Sequence, residues 1–273
     1  MTADLHIHTR YSDGGLTPEE VVNSAISGGV GLISVTDHDT MEGVDAAVCA
    51  AEKNGIKCAE GVEISAYDGD VKFHTLGYGV NREKFKPFLD GLFKSSFLRL
   101  EDTVFKLNKV GVKITAEDAV NERFSSATPV HGMHIARAVL KKGYVKSVAE
   151  FFIKYIDSGA AFSLIGRPSP EETCEAISYA GGLAVVAHPG RIKTSATELE
   201  KRIKGLVFAG LGGIEVYYTT HTKEQTAYYK NLANSLGLLS TGGSDTHVLG
   251  GGRVIGQPRF TACELLLKRL NLD

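Results

Sequence analysis

The sequence predicts an α/β fold in which short buried strands alternate with amphipathic helices, interrupted once by a run of helices alone. Three observations carry this. Seven short apolar runs recur along the 273 residues, at 3–7, 32–36, 56–64, 71–78, 183–187, 213–217 and 238–242. Helix-start signals stand between them. From about 81 to 164 the alternation stops, and helical periodicity continues without a strand-like run.

Taken in order, the first run reads as a strand almost from Met1. Thr17-Pro18-Glu19-Glu20 then opens a helix with an N-cap, a proline at the first helical position and a capping-box Glu. Ser169-Pro170-Glu171-Glu172 repeats that design, and Ser195 with Glu198 and Thr222 with Gln225 are weaker versions. In the middle the periodic segments are 85–110, 116–121, 134–142 and 148–157. The organisation read from this is a barrel domain formed by 1–80 and 165–273, with 81–164 as a helical insertion covering the active site. No internal repeat or low-complexity tract is present.

Composition sets the frame. Charged residues are 23% and apolar residues 43% of the chain, with a net charge of -2. This is a globular chain with no basic surface for duplex nucleic acid and no membrane-binding face. No apolar run is long enough to span a bilayer, and no signal peptide is expected. Cys49, Cys58, Cys174 and Cys263 form no Cys-x-x-Cys pair, which points to a reducing cytoplasm and away from a cysteine zinc site.

The chemistry gathers in a few short stretches: Asp4-Leu5-His6-Ile7-His8-Thr9 with Ser12-Asp13-Gly14, Thr36-Asp37-His38-Asp39, Ala187-His188-Pro189 and Gly243-Ser244-Asp245-Thr246-His247. Each lies in or just after an apolar run, at the strand end where barrel enzymes keep their chemistry. Imidazoles and carboxylates gathered at strand ends are characteristic metal ligands. Side chains two apart on a strand share a face, so His6 with His8, and Asp245 with His247, can grip one ion together. Asp37, Asp39 and Asp4 are read as braces, for His38 or the next helix in the first two cases, because ligating imidazoles donate their other N–H to an oxygen.

Together with Gly61-Val62-Glu63-Ile64-Ser65 and His74-Thr75-Leu76-Gly77-Tyr78, these motifs resemble, in order, the polymerase and histidinol phosphatase (PHP) superfamily of metal-dependent phosphoesterases. The resemblance covers most of the chain outside the insertion. It implies a distorted (β/α)7 barrel and two or three divalent ions (Mn, Zn or Fe). His6, His8, Glu63 and Asp245 would hold the first, Glu63, His74 and His188 the second, and Asp13, His38 and His247 the third. Six imidazoles against three carboxylates would leave the site cationic and suited to a phosphate ester, attacked by a hydroxide shared between ions. Asp13 and the insertion look most like the subgroup acting on nucleoside 3′,5′-bisphosphates and short RNA 5′ ends. Where that subgroup reads Gly-Arg-Pro-His, this chain reads His131-Gly132-Met133-His134.

Glu63, Asp245 and His221 are the expected catalytic residues. His221, at a strand end, would protonate the leaving oxygen or contact phosphate. Arg191, His134 and Arg137 are expected substrate contacts, with His131 as a further candidate. Gly250-Gly251-Gly252 lacks the context of a nucleotide fingerprint and reads as a flexible loop. The expected function is hydrolysis of a phosphate monoester on a small nucleotide. A short-RNA 5′–3′ exonuclease and a histidinol-phosphate-type phosphatase are alternatives. Outside that class stand an amidohydrolase, which would want a metal-bridging Lys, and a non-catalytic metal-binding domain.

Overall fold

In the computed structural model, which describes residues 1–272, the apolar runs become β1 (Thr2–Ile7), β2 (Leu32–Val35), β3 (Lys57–Asp68), β4 (Val71–Tyr78), β5 (Leu183–Val186), β6 (Leu211–Tyr218) and β7 (Leu239–Gly243). A short eighth strand, β8 (Phe260–Thr261), is too brief to leave a sequence signal and pairs antiparallel with β1. The strands form one sheet in the order β7-β6-β5-β4-β3-β2-β1-β8. The sheet curls until the end of β7 meets β1: the Asp245 N–H donates to His6 O at 2.7 Å and the His8 N–H to Thr246 O at 3.0 Å. Gly243 permits this seam, because a Cβ there would lie 2.3 Å from His6 Cβ. The result is a nearly closed mixed barrel.

One departure from repeated strand–helix units decides the site. No helix separates β3 from β4. They form an antiparallel hairpin whose turn holds Gly69 at φ 58, the kind of Gly-Asp turn that closes two-residue hairpins. β4 also runs antiparallel to β5, while β1–β2–β3 and β5–β6–β7 are parallel. The first half of β4 therefore lies at the end of the barrel where the parallel strands finish.

The helices are α1 (Pro18–Ser27), α2 (Val44–Lys53), α3 (Arg82–Lys109), α4 (Ala116–Val120), α5 (Gly132–Lys141), α6 (Val148–Phe151), α7 (Pro170–Tyr179), α8 (Ala196–Phe208), α9 (Lys223–Ser235) and α10 (Glu264–Arg269). The capping boxes of Thr17, Ser169 and Thr222 are complete, and the Ser195 side chain accepts from the Glu198 N–H. The barrel bore is filled by Leu5, Leu76, Tyr78, Leu183, Val185 and neighbours, and the Tyr78 hydroxyl donates to Leu5 O at 2.6 Å. It is a packed core and not a pore. Outside, α7, α8 and α9 close over Val62, Ile64, Val186 and Ile214, while α1 and α2 close over Ile7, Ile33 and Val35.

Between β4 and α7 lie α3 to α6 and a π-helical turn, Phe152–Asp157, which continues α6. Their apolar faces make a separate cluster around Leu100, Leu107, Ile135, Val139 and Phe151. The 28 residues of α3 join the two cores. Its first half packs Phe85 and Leu92 against the barrel's outer cluster, and its second half packs Leu100 and Leu107 in the insertion. Among the described residues no helix is long and apolar enough to cross a membrane.

Candidate metal centre

The nine residues with ligand chemistry come together at one end of the barrel. His6 and His8 hang from the end of β1, His38 follows β2, His188 follows β5, and Asp245 and His247 follow β7. Glu63 sits within β3, and His74 sits in the early half of β4, which the hairpin brings to the same end. Strict alternation does not explain the pairs. The β1–β2 register shifts between Asp4 and Ile7, so Leu5 faces the bore and Ile7 the outer core while His6 and His8 both reach the centre. Asp245 and His247 lie beyond β7, and Asp245 is turned by a left-handed backbone, φ 53. Of four non-glycine residues with positive φ among those described, Asp39, His188 and Asp245 all stand at this rim.

Glu63 is the hub. Its carboxylate lies within 3.3 Å of five imidazoles: His74 at 2.8, His188 at 3.0, His38 at 3.1, His8 at 3.2 and His6 at 3.3 Å. Asp245 Oδ1 is 3.2 Å from His8 Nε2 and 3.4 Å from His247 Nδ1. Asp13 is 3.3 Å from His247 Nε2 and 3.7 Å from His8 Nδ1. The donors fall into four overlapping sets with ligand atoms within 4.8 Å of one another: His8, Asp13, His38 and His247; His6, His8 and Glu63; His6, His188 and Asp245; His38, Glu63 and His74. His8 thus also stands with the Asp13 group and His188 with His6 and Asp245, a different division from the one the resemblance implies.

The cluster fits divalent cations on its own chemistry. His6 Nε2, both nitrogens of His8, His38 Nδ1, His74 Nε2 and His188 Nδ1 are buried without a well-directed hydrogen bond, as is Glu63 Oε2. Buried polar atoms in that condition are costly and rare. Here they converge, and imidazole with carboxylate is a donor set for Mn, Fe or Zn. Burial opposes ionisation of Asp13, Glu63 and Asp245, but the imidazoles around them win and hold all three well below the ordinary carboxylate range. Burial likewise opposes charging of His6 and His8. The carboxylates outweigh it, raising His6 well above its ordinary value and His8 to about 10. At His38 and His74 burial wins and the rings stay neutral.

A fourth carboxylate, Glu215 of β6, is absent from the sequence reading. It is fully buried. One oxygen is 2.9 Å from His6 Nδ1 and the other takes the His188 N–H at 2.6 Å. It directs His6 Nε2 toward Glu63 and anchors the turn after β5. The expectation of only three carboxylates is therefore corrected, and the site is less cationic by one charge. A Glu inside the apolar run Gly213-Ile214-Glu215-Val216-Tyr217 was the available signal, since a buried charge needs a partner.

The aspartates expected to brace His38 do other work. Asp37 takes the Thr9 N–H at 2.8 Å and the Thr9 and Ser12 hydroxyls, fixing the loop that carries His8 and Asp13. Asp39 takes the Ser65 N–H at 2.9 Å and pairs with Arg167 at 3.1 Å. Asp4 takes the backbone N–H groups of His6, Ser244 and Gly256, pinning the β1–β7 seam.

The expected substrate contacts divide. Arg191 Nη1 lies 3.0 Å from the Tyr218 hydroxyl and 3.3 Å from Asp245 Oδ2, with its side chain half exposed at the rim. Arg253, not singled out from sequence, joins it by donating to the Tyr218 hydroxyl at 2.8 Å. Arg137 donates to Asp13 O at 3.1 Å. His221 is placed otherwise: its Nε2 takes the Gly190 N–H at 3.1 Å and its Nδ1 donates to Val216 O at 3.0 Å, so the ring is a strut with both nitrogens engaged. His134 is buried, with Nδ1 taking the His131 N–H at the start of α5. At Gly132, where the subgroup's pattern has Arg, the Phe152 ring lies 3.3 Å from the place of a Cβ.

Against known proteins, the PHP domain matches residues 4–260. A 3′,5′-nucleoside bisphosphate phosphatase of Chromobacterium violaceum is 33% identical, covering 93% of this chain and 90% of its own. A phosphoribosyl 1,2-cyclic phosphate 1,2-diphosphodiesterase of Eggerthella lenta is 32% identical, covering 90% and 94%. A 5′-3′ exoribonuclease of Haemophilus influenzae is 31% identical, covering 89% of each chain. Among solved structures, an amidohydrolase of Chromobacterium violaceum with sulfate bound and no metal superposes with a TM-score of 0.86 at 29% identity, over 99% of this chain and 96% of the other. A protein of Bifidobacterium adolescentis described as a metal-dependent phosphoesterase superposes with a TM-score of 0.85 at 28% identity, over 98% and 96%.

Proposed function

The chain belongs to the PHP domain family and is a metal-dependent phosphoesterase, and we propose that it removes one phosphate from a small nucleotide carrying two, such as a nucleoside 3′,5′-bisphosphate. The observation that carries this is Glu63 at the centre of five imidazoles with an arginine-lined rim beside it. The bisphosphate phosphatase among the relatives supports the nucleotide, and the Chromobacterium violaceum structure of the same fold holds sulfate, which shares phosphate's tetrahedral shape.

His6, His8, Asp13, His38, Glu63, His74, His188, Asp245 and His247 would hold two or three Mn, Fe or Zn ions, with Glu63 shared. Such ions, when bound, supply positive charge to the phosphoryl oxygens and make water acidic enough to attack near neutral pH. The rest falls to the chain's own groups. Arg191 and Arg253 stand where a phosphoryl oxygen entering beside Asp245 would meet two guanidinium groups, which match phosphate geometry. Tyr218 donates to Asp245 Oδ2 at 2.8 Å and turns the other oxygen, Oδ1, toward His8. Glu215 keeps the His6 ring oriented. The insertion, 81–164, acts as a cap that reads the remainder of the nucleotide, through Arg137 beside Asp13. The protein works in the cytoplasm, where its unpaired cysteines persist as thiols.

The test is phosphate release by Mn-loaded protein from adenosine 3′,5′-bisphosphate, adenosine monophosphates, a 5′-phosphorylated trinucleotide, histidinol phosphate and an N-acyl amide. The bisphosphate should show the highest kcat/KM. Amide cleavage without phosphate release would contradict the reading.

A further inference from the structure

Three side chains on the insertion-facing wall take no part in the donor cluster. Across the β3–β4 hairpin Glu63, Ser65 and Tyr67 alternate onto one face, and Lys72 is paired with Tyr67 as His74 is with Ser65. Directly opposed residues share a face, so Lys72 projects on the same side as Glu63 and His74, one step further out. Lys72 is exposed as a residue and forms no ion pair among the described residues. The Arg167 guanidinium lies 5.9 Å from the Tyr67 ring and pairs with Asp39 through Nη1, leaving its Nε buried without a partner. Arg99, itself buried, holds that loop by donating to Ile165 O and Gly166 O. From the insertion, His131 brings its ring to 6.0 Å from the His38 ring. It is only 7% exposed, and its Nε2 is buried without a partner. The cations Lys72, Arg99 and Arg167 thus gather around one carboxylate, Asp39, and the buried Arg167 Nε and His131 Nε2 lack a hydrogen bond.

We propose that Lys72, His131 and Arg167 form a second anion subsite, which takes the phosphate that is not being hydrolysed. This rests on the reading that the substrate carries two phosphates. The reacting phosphate must sit against the Glu63 cluster, whereas these groups stand next to it, His131 beside the His38 ring and Lys72 one step along β4 from His74. Phosphate oxygens would satisfy Arg167 Nε and His131 Nε2 and neutralise Lys72, each by a charge-assisted bond. With Gly132 carrying no side chain and Phe152 packed against it, the positive charge for a second phosphate comes from the hairpin and the 165–168 loop rather than from the start of α5. Lys72, His131 and Arg167 are then specificity-determining residues.

The experiment is steady-state kinetics of Mn-loaded wild type, Lys72→Met and His131→Gln on adenosine 3′,5′-bisphosphate and on each adenosine monophosphate. The quantity read is the ratio of kcat/KM for bisphosphate over monophosphate. It should fall about tenfold in each variant, mostly through KM, a loss worth about 1.4 kcal/mol. A ratio within about twofold of wild type in Lys72→Met overturns the subsite while leaving the bisphosphatase reading intact. Failure of wild type to turn over the bisphosphate overturns that reading and the subsite with it. Lys72 is exposed, so its variant decides the matter even where His131→Gln unsettles α5.

Discussion

The two walls of the site are held by different means. On the barrel wall the donors gather at one end of the strands, and several are locked from behind. Glu215 holds His6 and the His188 turn, Asp37 holds the His8–Asp13 loop, and Asp4 pins the seam beside Asp245. On the insertion wall the helices keep their own core and reach the centre through few groups, among them Arg137 on Asp13 O and the His131 ring near His38. Reaction chemistry is therefore built into the sheet, where one residue's register fixes a side chain, and the groups proposed to choose the substrate come from both sides of the cleft, Arg137 and His131 from the insertion and Lys72 and Arg167 from the hairpin and loop that face it.

The comparison breaks most sharply at Glu63. Glu63→Gln should keep the fold and lower kcat by about 10³-fold or more, roughly 4 kcal/mol of barrier, because it removes the carboxylate shared by five imidazoles. Far-UV circular dichroism with phosphate-release kinetics checks it, and activity within about threefold of wild type would remove Glu63 from its central role. One step further back, Glu215→Gln should weaken metal affinity by about 10- to 100-fold while losing much less turnover at saturating metal. Titration of metal-free protein with Mn, followed by activity, separates the two quantities. Equal damage at saturating metal would mean that Glu215 does more than orient ligands.

Glu215 also marks where sequence stops being legible. The seven principal strands, the capping boxes and the nine imidazoles and carboxylates that converge could be read because each leaves a local mark: an apolar run, a Thr-Pro-Glu-Glu start, a His beside a strand end. Glu215, Lys72 and Arg167 leave none, since their meaning lies in what a different strand or loop brings opposite them. The β3–β4 hairpin was hidden by the expectation of a helix after every strand, although Gly69-Asp70 between two alternating runs was its signal. His221 looked reactive because it follows a strand, and only the fold shows that Gly190 and Val216 occupy both nitrogens.

Protonation offers a milder probe. In metal-free protein, His6 and His8 have raised values, so their stabilisation is complete below the ordinary 6.5 and fades as pH rises, through about 10 for His8. His38, His74, His131 and His134 have values lowered by burial, His131 to about 3 and His134 to about 4, so their contribution is present above 6.5 and fades as pH falls. The thermal midpoint of metal-free protein should therefore peak near pH 6.5. Metal loading should flatten the alkaline side, where it replaces the protons on His6 and His8. A midpoint still rising at pH 9 without metal would contradict this. The smallest effect belongs to the insertion wall: Arg137→Ala should weaken a bisphosphorylated nucleotide by roughly three- to tenfold and a small aryl phosphate by less, since only the larger substrate spans the rim. Equal losses for both would place substrate reading elsewhere.

The central claim, that the Glu63 cluster is a metal centre for phosphate ester hydrolysis, is tested most directly by stripping the protein with chelator and titrating Mn back while metal content and phosphate release from adenosine 3′,5′-bisphosphate are measured on the same samples. The account predicts that activity vanishes on stripping and returns in step with two or three bound ions per chain, in wild type but not in Glu63→Gln. Phosphate release that survives stripping, or ions that rebind without restoring it, would contradict it.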